Sequence, residues 1–95
     1  MLFIAHCTDK ADHLQVRLDT RPDHLEFLKA KGDALKVGGP TLGVDGETPN
    51  GSLLIFEDAN LETAKAWAAK DPYTAAGLFE SVIVQPWKHV IGGGL

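Results

Sequence analysis

Two short runs of the chain set a titratable side chain among residues that begin helices: Thr20-Arg21-Pro22-Asp23-His24-Leu25 and Asp71-Pro72-Tyr73. In the first, Thr20 and Asp23 have the spacing of a capping box, and Pro22 suits a first helical turn because its missing N–H has no partner to lose there. This spacing predicts a helix start with His24 near its positive end. The dipole there disfavours imidazolium and leaves a neutral ring, the form a general base needs. A histidine beside leucines is also often a half-buried spacer, and the residues alone leave both roles open. In the second run Asp71 reads as a helix N-cap with Pro72 at the first helical position. The same carboxylate can accept an imidazole N–H, fix the tautomer and stabilise a protonated ring. His24 and Asp71 are therefore the candidate acid–base pair, expected within hydrogen-bond reach of each other in a cleft.

Other polar residues fit around that pair. Gly38 and Gly39 carry no side chains, so a ligand can approach their backbone and an anionic oxygen can meet main-chain N–H groups; a tight strand exit before Pro40 is the alternative. Arg21 can hold an acidic group or stand as a solvated charge. Tyr73 lines the cleft or simply packs. His6, Cys7 and His13 make a poor metal set, because adjacent strand residues point to opposite faces, and no metal is expected. Cys7 is the only cysteine. It excludes an internal disulfide and a cysteine zinc cluster, reads as a small buried hydrophobe, and fits a reducing, cytoplasmic setting. His89 is expected at the exposed end of the last strand.

These groups must be positioned by a small fold. With 95 residues, 44% of them hydrophobic, the chain has room for one domain over 1–95, with about 92–95 as a flexible Gly-rich tail. Nine Lys and Arg against thirteen Asp and Glu give a net charge of -4 and no basic stripe, which argues against nucleic acid; Trp67 and Trp87 read instead as core or interface anchors. The apolar start, Leu2 to Ala5, is too short for a signal segment or a membrane span and reads as a strand to Cys7. Two helical runs follow, Ala11–Thr20 and Asp23–Gly32, separated at Pro22 and closed by Gly32. A strand toward Gly38-Gly39, a turn-rich loop, and the strand Ser52–Glu57 come next. A capped helix through Leu61, Ala64, Trp67 and Ala68, a turn or short helix at Asp71–Phe79, and a strand from Glu80 with Pro86 near its exit complete the chain.

The order strand, helix, strand, strand, helix, strand is the ferredoxin-like α+β arrangement with an antiparallel sheet. Each strand alternates two apolar sets: Leu2 and Ile4 against Phe3 and Ala5, Leu53 and Ile55 against Leu54 and Phe56, Val82 and Val84 against Ile83 and Trp87. Two helices cover one face of such a sheet. The other face then calls for a second subunit, so a homodimer joined sheet to sheet is expected.

Arg21-Pro22-Asp23-His24-Leu25-Glu26-Phe27-Leu28, Val37-Gly38-Gly39-Pro40, and the run from Asp71 through Lys88 together resemble the YCII-related (YciI-like) domain family over almost the whole chain. The resemblance implies a dimeric α/β barrel of ferredoxin-like subunits and a His and Asp active site in a cleft, matched here by His24 and Asp71. It also implies proton abstraction from a small hydroxylated aromatic or acid as one chemistry. The expectation is a small enzyme of lyase or isomerase type that uses no cofactor and has its His24–Asp71 pair in a dimer-supported cleft. The alternative is a non-catalytic module that binds a small ligand; a haem-dependent oxygenase is more distant.

Overall fold

The computed structural model describes all 95 residues. Its elements are β1 (Leu2–Asp9), α1 (Leu14–Ala30), β2 (Leu35–Leu42), β3 (Pro49–Glu57), α2 (Leu61–Ala69), α3 (Pro72–Ala75) and β4 (Phe79–Trp87). The four strands form one antiparallel sheet in the order β2-β3-β1-β4. This is the ferredoxin-like α+β fold.

Register assigns the two sheet faces. Phe3 pairs with Phe56, Ala5 with Leu54 and Val84, and Cys7 with Ser52, so these residues share the face beneath the helices. Phe3, Ala5, Leu54 and Phe56 are buried there with Ala64 of α2. Small residues at Ala64 and Ala68 let α2 approach closely, and its start is fixed by a capping box between Asn60 and Thr63. Trp67 meets Phe56 at 4.5 Å and stacks on Phe27 of α1 at 4.9 Å, joining the sheet to both long helices. Gly51 is required where β1 and β2 crowd β3. A Cβ there would collide with the Cys7 carbonyl oxygen and lie 2.6 Å from Thr41 Oγ1.

Two expectations are corrected. The helical runs on either side of Pro22 are one helix, so Thr20 and Asp23 form no capping box and His13 occupies the N-cap. A proline costs a helix one hydrogen bond, here the bond to the Leu18 carbonyl, and some bending. Side chains on both sides of it, Arg17 and His24, are anchored to the rest of the fold and hold the two halves in line. Gly32, with φ +63°, follows the helix C-cap in the left-handed conformation. The second correction is at Gly38-Gly39-Pro40, which is not a strand exit: β2 continues through it to Leu42. Since β2 is an edge strand, a residue without an N–H is tolerated there, as Pro86 is on β4 at the opposite edge.

Helix α1 is inverted in polarity. It buries Arg17 and His24, whereas Leu14, Leu18 and Leu25 remain exposed. The far side of the sheet carries no helix and is apolar except for polar side chains such as His6 and Gln85: Leu2, Ile4, Leu53 and Ile55 are half-buried, Val37 is exposed, and Ile83 is 53% exposed.

Candidate functional site

Arg17, Arg21 and His24 lie four and then three residues apart, so they rise along one side of α1. His24 sits at mid-helix, beyond the first turn on which the helix dipole acts. Its partner is Asp71. The His24 Nδ1 lies 2.9 Å and 3.0 Å from the two Asp71 carboxylate oxygens. Oδ1 of Asp71 also accepts the backbone N–H of Tyr73 at 3.0 Å, as the N-cap of α3. Asp71 therefore acts as both cap and histidine partner, the two roles the sequence left open. Both side chains are buried. With Nδ1–H donated to the carboxylate, the neutral ring carries its lone pair on Nε2. That nitrogen has no hydrogen-bond partner in the chain, yet it is not among the atoms sealed from solvent, and His24 lines a cavity.

The Tyr73 ring stacks on His24 with centroids 4.0 Å apart and planes 16° apart, and its other neighbours are the Arg17 guanidinium, 4.6 Å from the ring centre, and the edge of Phe79. Burial pushes the Tyr73 phenol up while the Arg17 charge pulls it down; the net is a rise, so the hydroxyl stays protonated at neutral pH. Arg17 is locked in place. Its Nε donates to Asp9 Oδ2 at 2.7 Å, and its Nη2 donates to Asp9 Oδ1 and to Ser52 Oγ, each at 2.9 Å. Burial works against the Arg17 charge, but the Asp9 hydrogen bonds and charge outweigh it and raise the pKa above its ordinary value.

The cavity beside His24 has a volume of about 210 Å³ and lies between α1 and β2. Arg21, His24, Gly38, Gly39, Pro40 and Tyr73 all line it, so the structure collects these candidates in one place, with Asp71 behind the histidine. Gly38 pairs with Leu54 and Pro40 with Ser52, which turns them toward the helices; a Cβ at Gly38 would stand 3.1 Å from Leu54 Cδ2. Arg17 also lines the cavity, held by its partners Asp9 and Ser52, and none of the three stands out in the sequence as a site residue. The only trace in the sequence is the helical spacing of Arg17 with Arg21 and His24.

The remaining candidates lie elsewhere. Cys7 is buried beneath the helices, its thiol pushed up to about 12 chiefly by burial, and His6 is exposed on the opposite face. No three His, Cys, Asp or Glu side chains converge to hold a metal. His89 follows the end of β4 and stacks on Trp87. No helix is long and apolar enough to cross a membrane.

The profile of the YCII-related domain matches residues 1–88. The chain belongs to this family. Protein YciI of Escherichia coli O6:H1 is 44% identical over 97 residues, covering 95% of this YCII-related chain and 99% of that protein. The solved structure of 5-chloro-2-hydroxyhydroquinone dehydrochlorinase (TftG) from Burkholderia phenoliruptrix AC1100, in complex with 2,5-dihydroxybenzoquinone, is similar at a TM-score of 0.86. Identity to it is 39%, over 95% of this chain and 96% of that one. A dimeric ferredoxin-like protein of unknown function from Bacteroides fragilis NCTC 9343 shares the fold alone, at 23% identity and a TM-score of 0.51, with 93% of this chain and 94% of that one covered.

Proposed function

We propose that this YCII-related chain is a small acid–base enzyme that removes a proton from a one-ring hydroxylated aromatic or acid without a cofactor. The observation that carries this reading is the buried His24–Asp71 pair with Nε2 free at the wall of a cavity. His24 Nε2 takes the proton of a phenolic O–H or activated C–H. The electron pair stays on the ligand as an anion, and Asp71 holds the ring and faces the charge the imidazolium acquires.

Cavity size supports a single ring, since a cavity of about 150 Å³ is known to admit benzene and this one is about 210 Å³. Tyr73 offers a flat wall, and the absence of a side chain at Gly38 keeps the opposite wall open. The similar dehydrochlorinase, crystallised with a one-ring dihydroxyquinone, supports the same ligand class. The lone thiol suits a reducing, cytoplasmic setting.

The working form we propose is a homodimer, in which a second copy covers the apolar sheet face opposite the helices and completes a dimeric α/β barrel. Exposed Ile83 and Val37 on that face support this.

The test is turnover of a panel of one-ring hydroxylated aromatics and acids, including 5-chloro-2-hydroxyhydroquinone, scored by chloride release or ring absorbance. His24→Asn and Asp71→Asn should each lower kcat by roughly 10²–10⁴-fold on any substrate found. Binding without turnover would favour the ligand-binding module, and full activity in His24→Asn would remove the proposed base.

A further inference from the structure

Resting on the reading above, we infer that Arg17, which is held in place, and Arg21 together form an anion subsite in the cavity and select ligands whose ring oxygen is ionised or becomes so on losing its proton. Arg17 is 4% exposed, and its Nε and Nη2 are used by Asp9 and Ser52. Its remaining nitrogen, Nη1, has no partner in the chain and is not sealed from solvent, and Arg17 lines the cavity. A buried guanidinium held on one edge thus presents its free edge as a preorganised donor. Arg21, one helical turn further on, lines the same cavity, is exposed, and makes no hydrogen bond or ion pair with the protein.

Charge balance points the same way. Asp9 already neutralises Arg17, and Asp71 faces a ring that is neutral when it acts as a base, so before proton transfer Asp71 and Arg21 are the two charges there without an ion-pair partner. Moving a proton from ligand to His24 Nε2 gives an imidazolium beside Asp71 and an anion beside Arg21. Every charge in the cavity then has a counter-charge, so the arrangement favours the deprotonated ligand over the ligand that enters. Tyr73 lies against both Arg17 and His24, placing the subsite and the base on the same aromatic wall.

The test compares binding of 2,5-dihydroxybenzoquinone, a vinylogous acid ionised at neutral pH, with binding of hydroquinone, a neutral ring of similar size. Parent protein, Arg21→Gln and Arg17→Lys are titrated at low and high salt. Arg21→Gln removes a side chain that makes no hydrogen bond or ion pair with the protein, so its melting temperature should match the parent. Arg17→Lys keeps a charge for Asp9 and loses the planar donor edge. The parent should hold the anion at least about tenfold more tightly than hydroquinone, with an affinity that falls as salt rises. Each variant should lose most of that preference, with anion affinity falling by a larger factor than hydroquinone affinity. Equal anion affinity in the parent and both variants would overturn the subsite. If the parent binds neither ring, the proposed ligand class falls with it; if it binds both equally and His24→Asn still abolishes turnover, the base stands and only the subsite is lost.

Discussion

At the scale of single residues, burial separates the groups equipped for chemistry from those that are not. Cys7 and His24 are both buried, but the thiol has no hydrogen-bonding partner and is pushed up to about 12, whereas the imidazole has a carboxylate on one nitrogen and a cavity at the other. Cys7 is predicted to be inert to a disulfide reagent at pH 8 in the native protein and to react fully once denatured; rapid native modification would show the site to be open. A thiol whose folded pKa stands above its ordinary 9.0 holds its proton more tightly when folded. Its contribution to stability is therefore complete below pH 9 and is lost as pH rises toward 12. His24 and Asp71 were legible as residues because helix-starting neighbours draw attention to them. Arg17 was not, because an arginine on a helix ordinarily faces water, and its partners Asp9 and Ser52 lie on β1 and β3.

At the scale of elements, strands were easier to read than the first helix. Alternation in β1, β3 and β4 follows from a period of two and survives in the fold. Helix α1 misleads because its leucines are mostly outside and its inner face carries Arg17 and His24. The hydrophobic pattern that would join its halves is missing, and Pro22 then looks like a boundary. The structure shows instead that tertiary anchoring can carry a helix through a proline. Pro22→Ala should supply the N–H that the Leu18 carbonyl lacks and stabilise the fold by up to about 3 kcal/mol in denaturant unfolding. A drop in stability would mean that Pro22 contributes more by restricting the unfolded chain than its missing hydrogen bond costs.

At the scale of the whole molecule, the sheet has two apolar faces and the chain provides helices for one. The core under those helices is small: a cluster of Phe3, Ala5, Leu54, Phe56 and Ala64, extended by Cys7, Ala68, Tyr73 and Leu78. Covering the second face would add a second apolar layer without lengthening the chain, which is the physical basis for the proposed dimer. Sedimentation at micromolar concentration should give a dimer, and Ile83→Lys, which places a charge on the open face, should shift it to monomer. A stable parent monomer would contradict the dimer while leaving the site, built within one chain, intact. The topology was legible because element order and alternation fix it. The cavity was not, since it depends on how α1 leans over β2 and on the pairing of residues as distant as His24 and Asp71.

The central claim is that Asp71 holds His24 with Nε2 bare toward the cavity. Nitrogen-15 chemical shifts of the His24 ring, recorded at alkaline pH in the parent and in Asp71→Asn, test it most directly. The parent should show a neutral ring protonated at Nδ1 and bare at Nε2, and Asp71→Asn should shift the ring toward the Nε2–H form. A parent ring already protonated at Nε2, or one unchanged when Asp71 is neutralised, would contradict the claim.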